Sequence, residues 1–271
     1  MERAAADHTD HPRLLDLLTA RIAEEAPLLG VQIGVAVIPL LKRSDHDAVK
    51  WIFDRLTSVQ DGNGPEDTSQ LLTIARFHVA NLVLREGDTQ RAYELYTAAL
   101  AECDPASPEY GNLLNNRGIT LIELDQPEAA IADFTAVIDA SAASDEARAC
   151  ALNNRADELV KKNDLVGAIA DRSGVLQLAD TTYNRRYIAL IRRATALRRT
   201  GDEAGANDDI ETILATDDIA VEQKMAARLE RANWLMEAGE ITQAQSDLEK
   251  IIASRRNFDE VAEKARQLLN P

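Results

Sequence analysis

The sequence predicts an all-α fold built from a repeated helix-turn-helix unit, and three observations carry that prediction. Ala and Leu dominate the 271 residues while aromatics make up only 4%. Ala and Leu lose little on entering a helix, whereas strands favour aromatic and β-branched residues. A pattern also recurs every 38 residues: "LNNRGITLIEL" begins at Leu114 and "LNNRADELVKK" at Leu152. Steps of 38 from Arg117 reach Arg155, Arg193 and Arg231, and one step back reaches Val79. Finally, each period carries at its centre a residue type that tolerates the left-handed conformation ending a helix: Gly87, Asp125, Asn163, Gly201 and Gly239.

Residues 1–65 read as an N-terminal helical region holding a degenerate repeat. Ala36 and Ala48 lie 12 apart, as the small residues of the later units do, and Ser44–Asp47 reads as a capping box before "AVKWIFDRL". "VQIGVAVI" alternates as a strand would, but a lone strand has nothing to pair with, so helix is the preferred reading. "DGNGPEDTS" then serves as a linker. Residues 66–256 hold five repeats. In their first helices a small residue (Ala80, Gly118, Ala156, Ala194, Ala232) is followed three positions on by Val83, Leu121, Leu159, Leu197 or Leu235. Twelve positions beyond the small residue, the second helix always has Ala: Ala92, Ala130, Ala168, Ala206, Ala244. Leu114, Gly118 and Leu121 share one helical face, as do Ala130, Phe134, Val137 and Ile138. Asp88, Asp164 and Asp202 stand where they cap a second helix, and Pro127 suits a first helical turn. Residues 257–271, "NFDEVAEKARQLLNP", read as a terminal capping helix, polar on its outer side.

"NNRGITLIELDQPEAAIADFTAVI" resembles the tetratricopeptide repeat, in its Asn-Arg-Gly variety. The small residue of the first helix, the Ala of the second, and the large residue four later (Tyr96, Phe134, Ile210, Leu248) all match; the third unit departs with Arg172. The period of 38 exceeds the family's usual length of about 34 by one helical turn. The resemblance covers roughly residues 70–256. It implies a right-handed α-α superhelix whose first helices line a concave groove, and a scaffold that binds a peptide or helix of another protein without catalysis.

The arginine column has a partner column. Asp133, Asp171, Asp209 and Asp247 follow Arg117, Arg155, Arg193 and Arg231 by sixteen positions. In the first unit both change together, to Val79 and Leu95. A charged pair replaced by an apolar pair points to contact, so these residues are read as structural ion pairs joining the two helices of a unit. The asparagines are read differently. Asn81, Asn116, Asn154 and Asn233 fall where the resemblance places the groove, and an amide both donates to and accepts from a peptide backbone. Family members that clamp a C-terminal carboxylate use lysines at two positions; here the matching windows hold Phe77 with Cys150, and Asn115 with Ile188, so that activity is not expected. "YNRRYIALIRRATALRRT" places six arginines on one helix. Two readings stand for them: neutralisation by Asp208, Asp209, Asp217 and Asp218, or a dock for an acidic partner segment, with Arg192 and Arg199 toward the groove.

Net charge is −16, which argues against nucleic acid and anionic membrane surfaces as partners. The longest apolar run, "LLGVQIGVAVIPLL", has 14 residues and is broken by Pro39, short of the ~20 of a membrane span. With no secretory h-region, the expected setting is cytoplasmic. Cys103 and Cys150 read as reduced, packed thiols. His8, His11, His46 and His78 are scattered, and no phosphate loop, metal motif or catalytic constellation appears, so no cofactor, metal or enzymatic activity is expected. The alternatives to peptide binding are a homo-oligomer assembled through its end repeats, and an RNA-binding helical repeat.

Overall fold

The computed structural model describes residues 68–253 and 259–269; the readings made for residues 1–65 fall outside them. The described residues form eleven helices and no strand. They are α1 (Thr68–Arg85), α2 (Thr89–Glu102), α3 (Pro108–Glu123), α4 (Pro127–Asp139), α5 (Asp145–Lys161), α6 (Leu165–Gln177), α7 (Tyr183–Arg199), α8 (Glu203–Ala215), α9 (Val221–Glu237), α10 (Ile241–Ala253) and α11 (Asp259–Leu269). The second helices of the five repeats begin at Thr89, Pro127, Leu165, Glu203 and Ile241, each 38 residues after the last.

The turn inside each repeat follows from its central residue. Gly87, Asp125, Asn163, Gly201 and Gly239 all have positive φ, between 59° and 91°. That conformation reverses the chain within three residues and returns an amide to the carbonyls left unpaired at the end of the first helix. Gln126 N, for example, donates to Leu121 O at 2.8 Å, and Asp164 N to Leu159 O at 2.8 Å. The second helix then starts on a cap: Asp88 accepts from Arg91 N, Asp164 from Gly167 N and Asp202 from Gly205 N. In the second repeat Gln126 makes no side-chain cap, and Pro127 supplies the pre-set φ instead.

The chain divides into two compact units, Met1–Ser144 and Asp145–Pro271, and the division falls between α4 and α5. In the first unit α1 packs on α2, α2 on α3 and α3 on α4. Its core joins Val79, Ala80, Leu95, Tyr96 and Leu113, so the apolar pair that replaces the charged one lies inside a single cluster. Gly118 is packed so closely by Phe134 that an added Cβ would stand 2.5 Å from the ring. In the second unit three helix pairs stack in sequence, and α11 packs on α10 and α9. One cluster there unites Leu190, Ile210, Ile213 and Trp234, and another joins Met225, Leu248, Ile251 and Ala265. The terminal helix thus covers the last repeat's apolar face.

Candidate functional site: the polar edge of the first helices

Arg117, Arg155, Arg193 and Arg231 each donate through Nε and Nη2 to both oxygens of the aspartate sixteen residues later, at 2.6–2.9 Å. The carboxylates of these pairs are nearly buried and the guanidiniums about four-fifths buried. Hydrogen bonding to Asp133, Asp209 and Asp247 raises the pKa of Arg117, Arg193 and Arg231 respectively, so these cations stay charged. The remaining Nη1 of the column reaches backward: Arg193 donates to Ser173 Oγ of the preceding repeat at 2.8 Å, and Arg231 to Glu211. Each of these two arginines therefore ties its own helix pair together and fastens it to the previous one.

The asparagines divide by position. Asn115 and Asn153, first of each Asn-Asn pair, are buried, and Asn153 Nδ2 donates to Arg185 O at 3.4 Å. Asn116 and Asn154, the second of each pair, are half-buried. In the first unit Asn116 Nδ2 donates to Asn81 Oδ1 at 3.2 Å, and the same oxygen accepts from Tyr96 Oη at 2.8 Å. Asn154 Nδ2 points to Cys150 Sγ at 3.5 Å, and Asn233 is half-buried.

Five of the six arginines on α7 have acceptors. Arg185 pairs with Glu146 at 2.9 Å, Arg186 donates to Leu178 O at 2.6 Å, and Arg192 pairs with Asp157. Arg193 holds Asp209, and Arg198 pairs with Glu237 at 2.9 Å while lying 5.7 Å from the Trp234 ring centre. Of the four aspartates named from sequence, only Asp209 pairs with an arginine of this helix; Glu146, Asp157 and Glu237 pair with three others, and Asp218 instead accepts from Tyr183. The physical reason is direction: Arg185 and Arg192, seven apart, face α5, whereas Asp217 and Asp218 lie in the turn after α8. Arg199 is exposed, and among the described residues no hydrogen bond or ion pair engages its side chain.

Sequence reading singled out Arg172 as a departure but did not pair it with Asp157. Asp157 stands in the Asn81 column and Arg172 in the Tyr96 column, so Arg172–Asp157 repeats the Tyr96–Asn81 bond at the same fifteen-residue offset, 2.8 Å in both. The signal was available: an arginine among Tyr96, Phe134, Ile210 and Leu248 requires a carboxylate nearby. Elsewhere in the second unit, an open cleft of about 350 Å³ lies among Asn207, Glu211, Gln243, Ser246 and Lys250. Among the described residues no cluster of His, Cys, Asp or Glu is placed to hold a metal ion, and no helix is long and apolar enough to cross a membrane.

No protein-family model and no curated protein matches the chain. Solved structures do. The apo quorum sensor NprR from B. thuringiensis is similar with a TM-score of 0.61 and 15% identity, over 95% of this chain and 76% of that one. The APC/C hetero-tetramer Cut9-Hcn1 is similar at 0.54 and 14%, over 96% of this chain; this chain spans 47% of the matched one, about half its length. IFIT1 with m7Gppp-AAAA gives 0.54 and 12%, over 97% and 68%. Likeness at these identities speaks to architecture, and with the repeat geometry above it makes the fold an all-α helical solenoid of the tetratricopeptide-repeat type.

Proposed function

We propose that this protein is a non-enzymatic binding scaffold that takes an acidic, extended segment of another protein along the first helices of its second unit. The observation that carries the reading is the outer edge of α7. Arg199 is exposed with no ion-pair partner among the described residues, and Arg192, two turns away on the same side, is half exposed, in a chain whose net charge is −16. Guanidiniums left at a surface so short of cations meet a carboxylate well. Asn154 and Asn233, on the first helices flanking α7, supply amides for a peptide backbone. Asn81 and Asn116 form the corresponding polar pair of the first unit. The similar structures include a hetero-tetramer and a quorum sensor, which agrees with a binding role.

A pulldown comparing wild type with Arg192→Glu/Arg199→Glu tests this. A protein recovered by wild type and lost by the folded variant supports the reading, and equal recovery ends it. One observation favours a second reading: IFIT1 is similar to this chain and was solved with a capped RNA. Single-stranded RNA titrated into wild type discriminates, because saturable binding to a chain of charge −16 would require a local cationic site. Light scattering addresses the third, a homo-oligomer through end repeats; apolar association persists at high salt, whereas docking on arginines weakens.

A further inference from the structure

Arg172 is the point at which the third repeat departs from the others. It occupies the column of Tyr96, Phe134, Ile210 and Leu248 and is 2% exposed. Its Nη2 donates to Asp157 Oδ1 at 2.8 Å and its Nη1 to Arg192 O at 3.3 Å, while the Nε–H has no acceptor. Burial lowers its pKa, against the pull of Asp157. The neighbouring Asp171 helps only through its field and makes no bond to Arg172, since Arg155 engages both its oxygens.

Asp157 is shared. One oxygen serves Arg172 and the other accepts from Arg192, so two cations divide one carboxylate. The manner of the second contact matters. Arg155 grips Asp171 through the Nε–Nη2 fork, but Arg192 touches Asp157 through Nη1 alone. Its fork, the edge that matches a carboxylate with two parallel bonds, is unspent. Arg192 is half exposed and Asp157 one-third exposed, so the contact is open to competition.

We infer that Asp157 is a built-in competitor at this site: its contact with Nη1 holds the Arg192 guanidinium against α5 in the free protein, and an acidic side chain of the bound segment draws that guanidinium outward to meet its fork, which breaks the contact and leaves Asp157 to Arg172 alone. The inference rests on the proposed reading of the α7 edge as a seat for an acidic segment, and it adds the device that sets the threshold for entry. Weak acidic sequences fail to displace an intramolecular carboxylate that is always present. A segment with closely spaced acidic residues succeeds, since it meets Arg199 as well.

The test uses a fluorescein-labelled hexaglutamate peptide and fluorescence anisotropy on the full chain. Asp157→Asn keeps an oxygen for Arg172 but frees Arg192, so the peptide binds about twofold to fivefold tighter, the worth of one exposed ion pair. Asp157→Asn/Arg172→Leu removes the buried guanidinium as well. It leaves the cluster with the same net charge as wild type, yet it binds with the same gain. Arg192→Gln loses the binding. Circular dichroism checks each fold, and the double variant carries the test if the single one melts. Unchanged or weaker binding by Asp157→Asn overturns the inference, because Asp157 then positions Arg192 instead of competing for it. A double variant that falls back to the wild-type affinity overturns it too, since net charge then accounts for the gain. If the peptide binds neither wild type nor Asp157→Asn, the acidic-segment reading falls with it. If Arg192→Glu/Arg199→Glu loses the partner in the pulldown while Asp157→Asn is indifferent, only the competitor fails.

Discussion

Replacing Arg117 by Ala would leave the Asp133 carboxylate, 6% exposed, without the two bonds that offset its desolvation. Removing one partner of a buried pair costs about 3–5 kcal/mol, far more than the pair contributes net, because the surviving charge is stranded. Among the described residues Arg117 has no other acceptor, so the loss is clean. Arg117→Ala is expected to destabilise by about 3 kcal/mol in urea titrations. Arg117→Val/Asp133→Leu, which copies Val79 and Leu95 of the first repeat, is expected to return within about 1 kcal/mol of wild type. A single variant with no effect would mean that water already screens the pair.

At the scale of the element, the left-handed turn governs where each helix pair folds back. Gly201 has φ of +87° and open space around the place a Cβ would occupy, so any side chain there is opposed by the backbone alone. Gly201→Ala is expected to cost about 1–2 kcal/mol, and Gly201→Asn less, because Asn tolerates this region better. In the opposite direction, Asp125 and Asn163 adopt φ near +60° with side chains in place. Asp125→Gly/Asn163→Gly is expected to raise the melting temperature by relieving about 0.5–1 kcal/mol in all. A fall in melting temperature would show that these side chains hold the turn in some other way.

At the scale of the whole molecule, net charge and local charge oppose each other. A chain of −16 repels an acidic segment at long range, while Arg192 and Arg199 attract it on contact. Added salt acts on the two terms differently, since the Debye length shrinks from about 30 Å at 0.01 M to about 8 Å at 0.15 M. Association of the hexaglutamate peptide is expected to quicken as salt rises, because the global repulsion is screened first. Dissociation is expected to quicken more, so affinity falls. Stopped-flow rates separate the two, and an association rate that falls with salt would show that the approach is steered by the arginines instead.

What the sequence by itself determined is local and periodic. The five turns, the helix starts 38 residues apart and the sixteen-residue offset between Arg and Asp all depend on residues within one repeat, where chain connectivity limits the geometry. Simultaneous replacement of Arg and Asp in the first repeat even marked a contact without any structure. The tertiary structure alone decided what passes between repeats. It turned Asn115 and Asn153 inward, carried Arg192 to a carboxylate 35 positions earlier, and buried Arg172 against that same carboxylate. It also chose Glu146 and Glu237 over Asp217 and Asp218 as partners of the arginine helix. Those choices depend on how far each helix pair is rotated against the next, and that rotation is a balance of packing across the interface which no single repeat contains.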